Sequence, residues 1–445
     1  MRDLLVKSFV VVVLGSLGLA QMAPMASDAA NWDTWIADAD AIAAMVEAPS
    51  EADREGELLE LIMLAETRDE DTQAMVDYWN VVAAPYRWSE VLYDVSKDGP
   101  PGSRPFGLMS AAIYDAVVAT AKAKEAAGSW TVPTDSGVEP LIASEGSSFP
   151  SEHAAVAIAA SEVLSYVTPD HADRYRAMAE EAIQSRLLAG VNIQSDIDAG
   201  RVIGQAVADA VIAYGETDDS DLPWEYSSRP DDTRFALEEP IFPNLGKAKT
   251  MVLDNGAQFR APPPPAYDSD ELNAQLDEIR AVERNTNSMY QATYWARFYG
   301  TYPIWTDFAN KLLFERGQGG DTALMAKIYA AIGIARSDAE IACFDSKYTY
   351  WLARPVHLDP SIETVVPTPP HPSYPSAHSC ISGAASHVFA HLFPSHADEA
   401  LSLAQQAGQS RILGGIHFPA DNTAGLELGE KVAGAVIEKL EGMTQ

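Results

Sequence analysis

Cysteine is scarce in this 445-residue chain: Cys343 and Cys380 are its whole supply. Two thiols exclude a disulfide scaffold and a cysteine-rich metal site. They leave two readings, one disulfide in an oxidising compartment or two buried free thiols. Basic residues are also few, 30 lysines and arginines against 64 aspartates and glutamates, for a formal net charge of −34. Such a surface repels nucleic acid and anionic lipid, so neither is expected as a partner. Any local cluster of cations runs against this background and calls for a reason. Strand-like alternation between Gly or Asn-Gly turns is nearly absent, which argues against a sheet. Beyond the N-terminus no long apolar run is evident, so stable membrane insertion of the mature chain is not expected.

What is present is a globular composition, 47% hydrophobic, in a chain long enough for one large core or two ordinary ones. The first residues read MRDLLVKSFVVVVLGSLGLAQMAPMAS. Arg2 and Lys7 precede an apolar run from Phe9 to Leu19 that is too short for a comfortable membrane span. We read residues 1–26 as a signal peptide, which predicts a secreted or periplasmic protein. Segments such as HAAVAIAASEVLSYV and SDIDAGRVIGQAVADAVIAYG repeat apolar residues at i, i+3 and i+4, so the fold class is all-α.

The chain also repeats itself. Ser148–Ile212 lies over Ser373–Ile437 without a gap, at an offset of 225, with 28 of 65 positions identical. Shared helical composition does not produce such a run of polar identities. The repeat predicts two packed helical bundles: an N-terminal one over 27–215 and a C-terminal one over 271–445. A Pro- and Asp-rich connection over 216–270, containing APPPPAY, joins them.

Three segments of the second copy gather polar residues with a common chemistry. In KYTYWLARP, Lys347 and Arg354 are seven apart, which predicts two cations on one helical face. In YPSAH, Pro375 suits a first helical turn and places Ser376, Ala377 and His378 at a helix N-terminus, where backbone N–H groups attract anions. In SRILGGIHFPAD, Arg411 precedes Gly414 and Gly415, which break the helix and free backbone N–H groups; His417 and Asp421 follow. Asp421 is placed to cap the next helix or to hold the His417 ring. Each residue alone has a plain structural role, a solvated cation or an N-cap serine. Together they form a kit for a tetrahedral oxyanion, with cations for its oxygens, a hydroxyl and two histidines for nucleophilic or proton-transfer work.

That ordered set, Lys347, Arg354-Pro355, Pro375-Ser376, His378, Ser410-Arg411, His417 and Asp421, resembles the signature shared by vanadium-dependent haloperoxidases and type-2 phosphatidic acid phosphatases. The likeness is specific over 337–429 and looser elsewhere. It implies a vanadium chloroperoxidase-like fold of paired bundles. It implies that Lys347, Arg354, Ser376, Ala377 and Arg411 bind the oxyanion. His417 is then the vanadate ligand or a phosphorylated nucleophile, and His378 the acid–base partner. Ala377 departs from the family's usual Gly. An acidic partner for Arg354 is not evident; Asp307 is one candidate. His371, five residues before Ser376, stands where the family varies with halide, and a histidine there implies bromide or iodide. The cofactor implied is vanadate and the substrates are hydrogen peroxide and halide. An organic acceptor and a homo-oligomer stay open. The length, the duplication and His371 favour a haloperoxidase. The alternatives are a secreted acid phosphatase working through a phosphohistidine and a non-catalytic anion-binding protein.

The two copies are unequal. At offset 225, Ser151, His153, Arg186 and Asp196 match Ser376, His378, Arg411 and Asp421, but Asn192 stands at His417 and Ser129 at Arg354. An amide cannot serve as the apical ligand, so the first copy reads as a relic kept for helix starts and packing.

Overall fold

The computed structural model describes residues 28–444 except 96–101, 144–145, 218–222, 226–228, 231–233, 236–238 and 297–300. The leader expected over residues 1–26 lies outside the described residues. Among those described there is no strand, and the all-α expectation holds. Eight helices form the frame. They are α1 (Arg104–Ala127), α2 (Glu152–Val167), α3 (Ala172–Ala189) and α4 (Gln194–Gly215), then α5 (Thr322–Tyr350), α6 (Ala377–Leu392), α7 (Ala397–Leu413) and α8 (Pro419–Met443).

The repeat in sequence is a repeat in shape. Helices α2 and α6 begin and end 225 residues apart, and the 3₁₀ turns Pro169–His171 and Pro394–His396 follow each at the same offset. The bonds Phe149-Pro150 and Tyr374-Pro375 are both cis. Helix α3 ends at Gly190 (φ 75), and α7 ends before Gly415 (φ 76), left-handed positions that suit glycine.

Helices α1 and α5 lie at the centre and are buried nearly all round. By length and composition α1 is apolar enough to cross a membrane, which corrects the expectation of no second long apolar run; 89% of that window is buried inside the protein, as befits a core helix. Each central helix carries one buried aspartate that gathers three consecutive loop N–H groups. Asp115 accepts from Trp35, Ile36 and Ala37 at 2.8, 3.0 and 2.9 Å. Asp338 accepts from Met251, Val252 and Leu253 at 2.9, 2.8 and 3.2 Å. These aspartates are 223 residues apart, not 225. The helix ends Ala127 and Tyr350 keep that offset, as do the positive-φ residues after them, Gly128 (φ 77) and Trp351 (φ 51). The loop after α5 is therefore two residues longer than the loop after α1. One apolar core runs through both halves, from Ala29 to Met443.

Candidate active site

Four elements deliver the second copy's polar residues to one place. Lys347 sits in the last turn of α5. That helix stops at Tyr350, and Trp351 adopts a left-handed conformation, so Arg354 does not share the helical face expected from its spacing. It instead N-caps a four-residue helix, Pro355–Leu358, and turns back towards Lys347. Pro375 likewise lies before its helix rather than in the first turn: Ser376 is the N-cap of α6. Arg411 closes α7 and His417 leads into α8. The N–H groups of Gly414 and Gly415 are not freed as expected. They bond to the carbonyls of Ser410 and Ile412, both at 2.9 Å, so this pair ends α7 and bends the chain.

His417 is fixed by its neighbours. Its Nδ1 lies 2.7 Å from Asp421 Oδ2, and the Phe418 N–H donates to the same oxygen at 3.1 Å. Asp421 thus holds the ring and caps α8 at once. Ser373 Oγ also donates to that oxygen, at 2.5 Å. His417 Nε2 lies 2.8 Å from Arg354 Nη1. Carbonyls orient Arg354, that of Ile416 at 2.8 Å and that of His371 at 3.1 Å. This is the part assigned to an acid such as Asp307, which instead lies on the helix Tyr302–Glu315 near Tyr86 and Tyr302. Lys347 Nζ donates to the carbonyls of Pro372, Ser373 and Pro375 at 2.8, 2.9 and 2.5 Å. Arg411 Nε donates to Ser410 Oγ at 2.9 Å, and its Nη2 donates to the Ala292 carbonyl.

Burial makes this cluster costly. Lys347 and Arg354 are 0% exposed and Arg411 is 2% exposed. Desolvation pushes Lys347 down to about 8 and both arginines down to about 10. Asp421 is the one carboxylate found bonded within the cluster, and burial pushes it up to about 6. Three buried cations against one carboxylate leave an excess of positive charge, which is expensive unless an anion offsets it. Burial, then the nearby cations, hold His417 and His371 well below their ordinary range, and burial pushes His378 down to about 3. All three imidazoles are neutral at physiological pH. His378 Nε2 lies 2.8 Å from the Trp295 carbonyl, so that nitrogen carries the proton and Nδ1 keeps the lone pair.

Ser376 Oγ is buried and has no hydrogen-bond partner, and it does not cap α6. Its counterpart Ser151 does cap α2, accepting from the Ala154 N–H at 3.4 Å. A buried hydroxyl left unpaired among cations at a helix N-terminus fits a donor for a bound oxyanion. His371, also buried, sets Nδ1 3.1 Å from Arg354 Nη2. Cys343 and Cys380 are buried free thiols on the two helices beneath this loop. Sequence reasoning missed the Ala292 and Trp295 carbonyls, for which no sequence signal exists. It also missed Ser373, although that residue is an identity in the repeat.

The fold and this cluster define a duplicated helical protein in which the second copy alone brings together every residue expected of an oxyanion site. The chain belongs to the PAP2 superfamily, whose sequence profile matches it twice, at residues 81–218 and 326–441. Each match covers one copy of the repeat. A bacterial vanadium-dependent iodoperoxidase structure superimposes with a TM-score of 0.59 over 88% of this chain and 98% of its own, at 22% identity. A bacterial vanadium-dependent chloroperoxidase in its holo form gives a TM-score of 0.52 at 16% identity, covering 66% of this chain and 83% of its own. At these identities the likeness is one of fold. A non-specific acid phosphatase of Providencia stuartii is 38% identical over 60 residues, spanning 14% of this chain and 24% of that protein.

Proposed function

We propose that the protein is a vanadate-dependent haloperoxidase, exported from the cell, that oxidises iodide or bromide with hydrogen peroxide. The observation that carries this reading is His371, a neutral imidazole buried 3.1 Å from Arg354 at the edge of the oxyanion cluster. A phosphatase has no evident use for a third buried histidine there, whereas a halide approaching the cluster meets a polarisable, uncharged ring. The iodoperoxidase fold, extending over most of the chain, supports the same reading.

The residues that would hold vanadate are His417, through Nε2, with Arg354, Arg411 and Ser376 around its oxygens and the Ala377 N–H at the helix terminus; Lys347, whose three N–H groups are bonded to carbonyls, would contribute its charge. When bound, the group supplies a Lewis-acid centre for activating hydrogen peroxide. Asp421 takes the Nδ1–H of His417 and so leaves the lone pair on Nε2, which faces Arg354 Nη1 at 2.8 Å and is the atom that would hold the group. The three buried cations would draw charge from the oxygens of a bound oxyanion, in a site too buried for water to screen them. His378, whose Nε2 faces the Trp295 carbonyl, keeps its lone pair on Nδ1 and would take and return a proton there.

The test is reconstitution with orthovanadate, followed by halogenation assays with hydrogen peroxide and each of iodide, bromide and chloride. Hydrolysis of p-nitrophenyl phosphate is measured alongside. Iodide or bromide turnover is expected. Phosphate-ester hydrolysis without halogenation would overturn the proposal in favour of the phosphatase reading, which the acid phosphatase likeness supports.

A further inference from the structure

The first copy is not a filled-in relic. A cavity of about 150 Å³ opens where its site would be, lined by Lys124, Ser151, Glu152, His153, Arg186 and Asn192 among others. The 223 offset of the central helices sets Lys124 opposite Lys347, a match that the gapless 225 register hides. Beyond the helix end the same register puts Thr131, not Ser129, opposite Arg354. Five members of the oxyanion set therefore persist: Lys124, Ser151, His153, Arg186 and Asp196. Only the arginine and the apical histidine are replaced. Asn192 keeps the histidine's attachment, donating through Nδ2 to Asp196 Oδ2 at 3.3 Å and to the Ser148 carbonyl at 3.0 Å.

Arg186 is the second observation. It is 2% exposed, yet its Nη2 has no hydrogen-bond partner; Nη1 donates to Asn80 Oδ1 at 2.9 Å and Nε to Ser185 Oγ at 3.1 Å. In the second copy, Arg411 closes its Nη2 on a carbonyl. A buried guanidinium N–H left unpaired beside a polar cavity is costly unless something in that cavity accepts from it. Lys124 and the first turn of α2 face the same space and add positive potential.

We propose that this cavity is a second oxyanion site, which binds a hydroxyl-bearing phosphate-class anion reversibly through charge and hydrogen bonds alone. With an amide at position 192 the apical lone pair that His417 supplies in the second copy is gone, so the bond that would be made through that position is not available here. Glu152 lines the wall and, when ionised, only accepts hydrogen bonds. It therefore selects an anion that still carries a proton, hydrogen phosphate or a phosphate monoester, over sulfate.

Calorimetric titration of the full chain with orthophosphate tests the proposal, after circular dichroism confirms each variant is folded. A His417→Ala, Arg354→Ala variant disables the other site and is expected to keep one phosphate per chain. Adding Arg186→Gln, or Lys124→Gln at a half-exposed position that tolerates change, is expected to weaken that binding at least tenfold. Sulfate is expected to bind at least tenfold more weakly than phosphate, and a glycerol 3-phosphate arm separates a monoester from the free anion. No phosphate on the His417/Arg354 variant, or binding unmoved by both Arg186→Gln and Lys124→Gln, overturns the site. Sulfate binding as tightly as phosphate overturns the hydroxyl-bearing class. These readouts do not depend on halogenation, so they stand or fall apart from the proposed activity.

Discussion

Oδ2 of Asp421 accepts from three donors at once, on His417, Ser373 and Phe418, and together with Arg354 at Nε2 it orients the ring of His417. Asp421→Asn keeps the shape but offers an amide where the Nδ1–H needs an acceptor, so the tautomer that exposes Nε2 loses its support. Vanadium retention by the folded variant should fall by about 10–100-fold, measured by equilibrium dialysis with elemental analysis. Unchanged retention would reject the orienting role. The spacing of His417 and Asp421 made this pair legible in the sequence, because residues four apart meet at a helix start. The contacts of Lys347, Arg354 and Arg411 with carbonyls were not legible, because any residue type offers a carbonyl and only the folded chain decides which one arrives.

At the scale of elements, two glycines per copy set how closely the helices approach. A Cβ on Gly425 of α8 would lie 2.8 Å from the Ser376 carbonyl oxygen and 2.7 Å from Ser379 Cβ; one on Gly200 of α4 would lie 2.4 Å from the Ser151 carbonyl oxygen and 2.8 Å from Ala154 Cβ. Gly429 and Gly204 repeat the arrangement one turn later, against the carbonyls of Cys380 and Ala155. Either Gly→Ala change should cost about 1–3 kcal/mol of stability by overpacking. Gly425→Ala should also lower halogenation per folded molecule, because it pushes the turn that carries Ser376 and His378. Gly200→Ala should leave that activity unchanged. Equal activity losses in the two variants would show that the contact acts on general stability alone. Asp115 makes a second prediction at this scale. Burial pushes its carboxyl up to about 7, against an ordinary value of 3.8, with the loop N–H groups opposing the shift. The folded state therefore holds the Asp115 proton more tightly than the unfolded state does. That contribution is complete below about pH 4 and is lost as pH rises through about 7. Asp115→Asn removes it, so the stability of the native protein relative to the variant should grow on acidification from pH 8 to 5. Denaturant melts across that range measure the difference, and a difference that shrinks would contradict the assignment.

In the whole molecule, the two copies share one apolar core rather than folding as separate beads. Gly107 of α1 leaves no room for a methyl group, which would meet Met251 Cε at 2.7 Å and Ser337 Cβ at 2.8 Å, and Gly333 of α5 sits close against Ser110. The Asp33 N–H, near the start of the described chain, donates to the Met443 carbonyl at its far end, at 2.8 Å. Calorimetry should therefore show one unfolding transition for both halves, with or without added anion. Two resolved transitions would mean that the α1–α5 contact does not couple them.

By itself, the sequence determined the all-helical class, the duplication and which polar residues of the second copy belong together. Apolar periodicity, gapless identity and motif spacing are all local properties of the chain. The sequence also showed that Asn192 had replaced the histidine. What only the tertiary structure decided was the fate of the first copy. A gapless register breaks at a two-residue difference in loop length, so Lys124 became visible as the partner of Lys347 only when the aspartates and helix ends of α1 and α5 could be compared in space. Whether a buried serine caps its helix, and whether a guanidinium is left unpaired beside a cavity, depends on atoms brought together from distant segments. The differences between Ser151 and Ser376, and between Arg186 and Arg411, are of that kind.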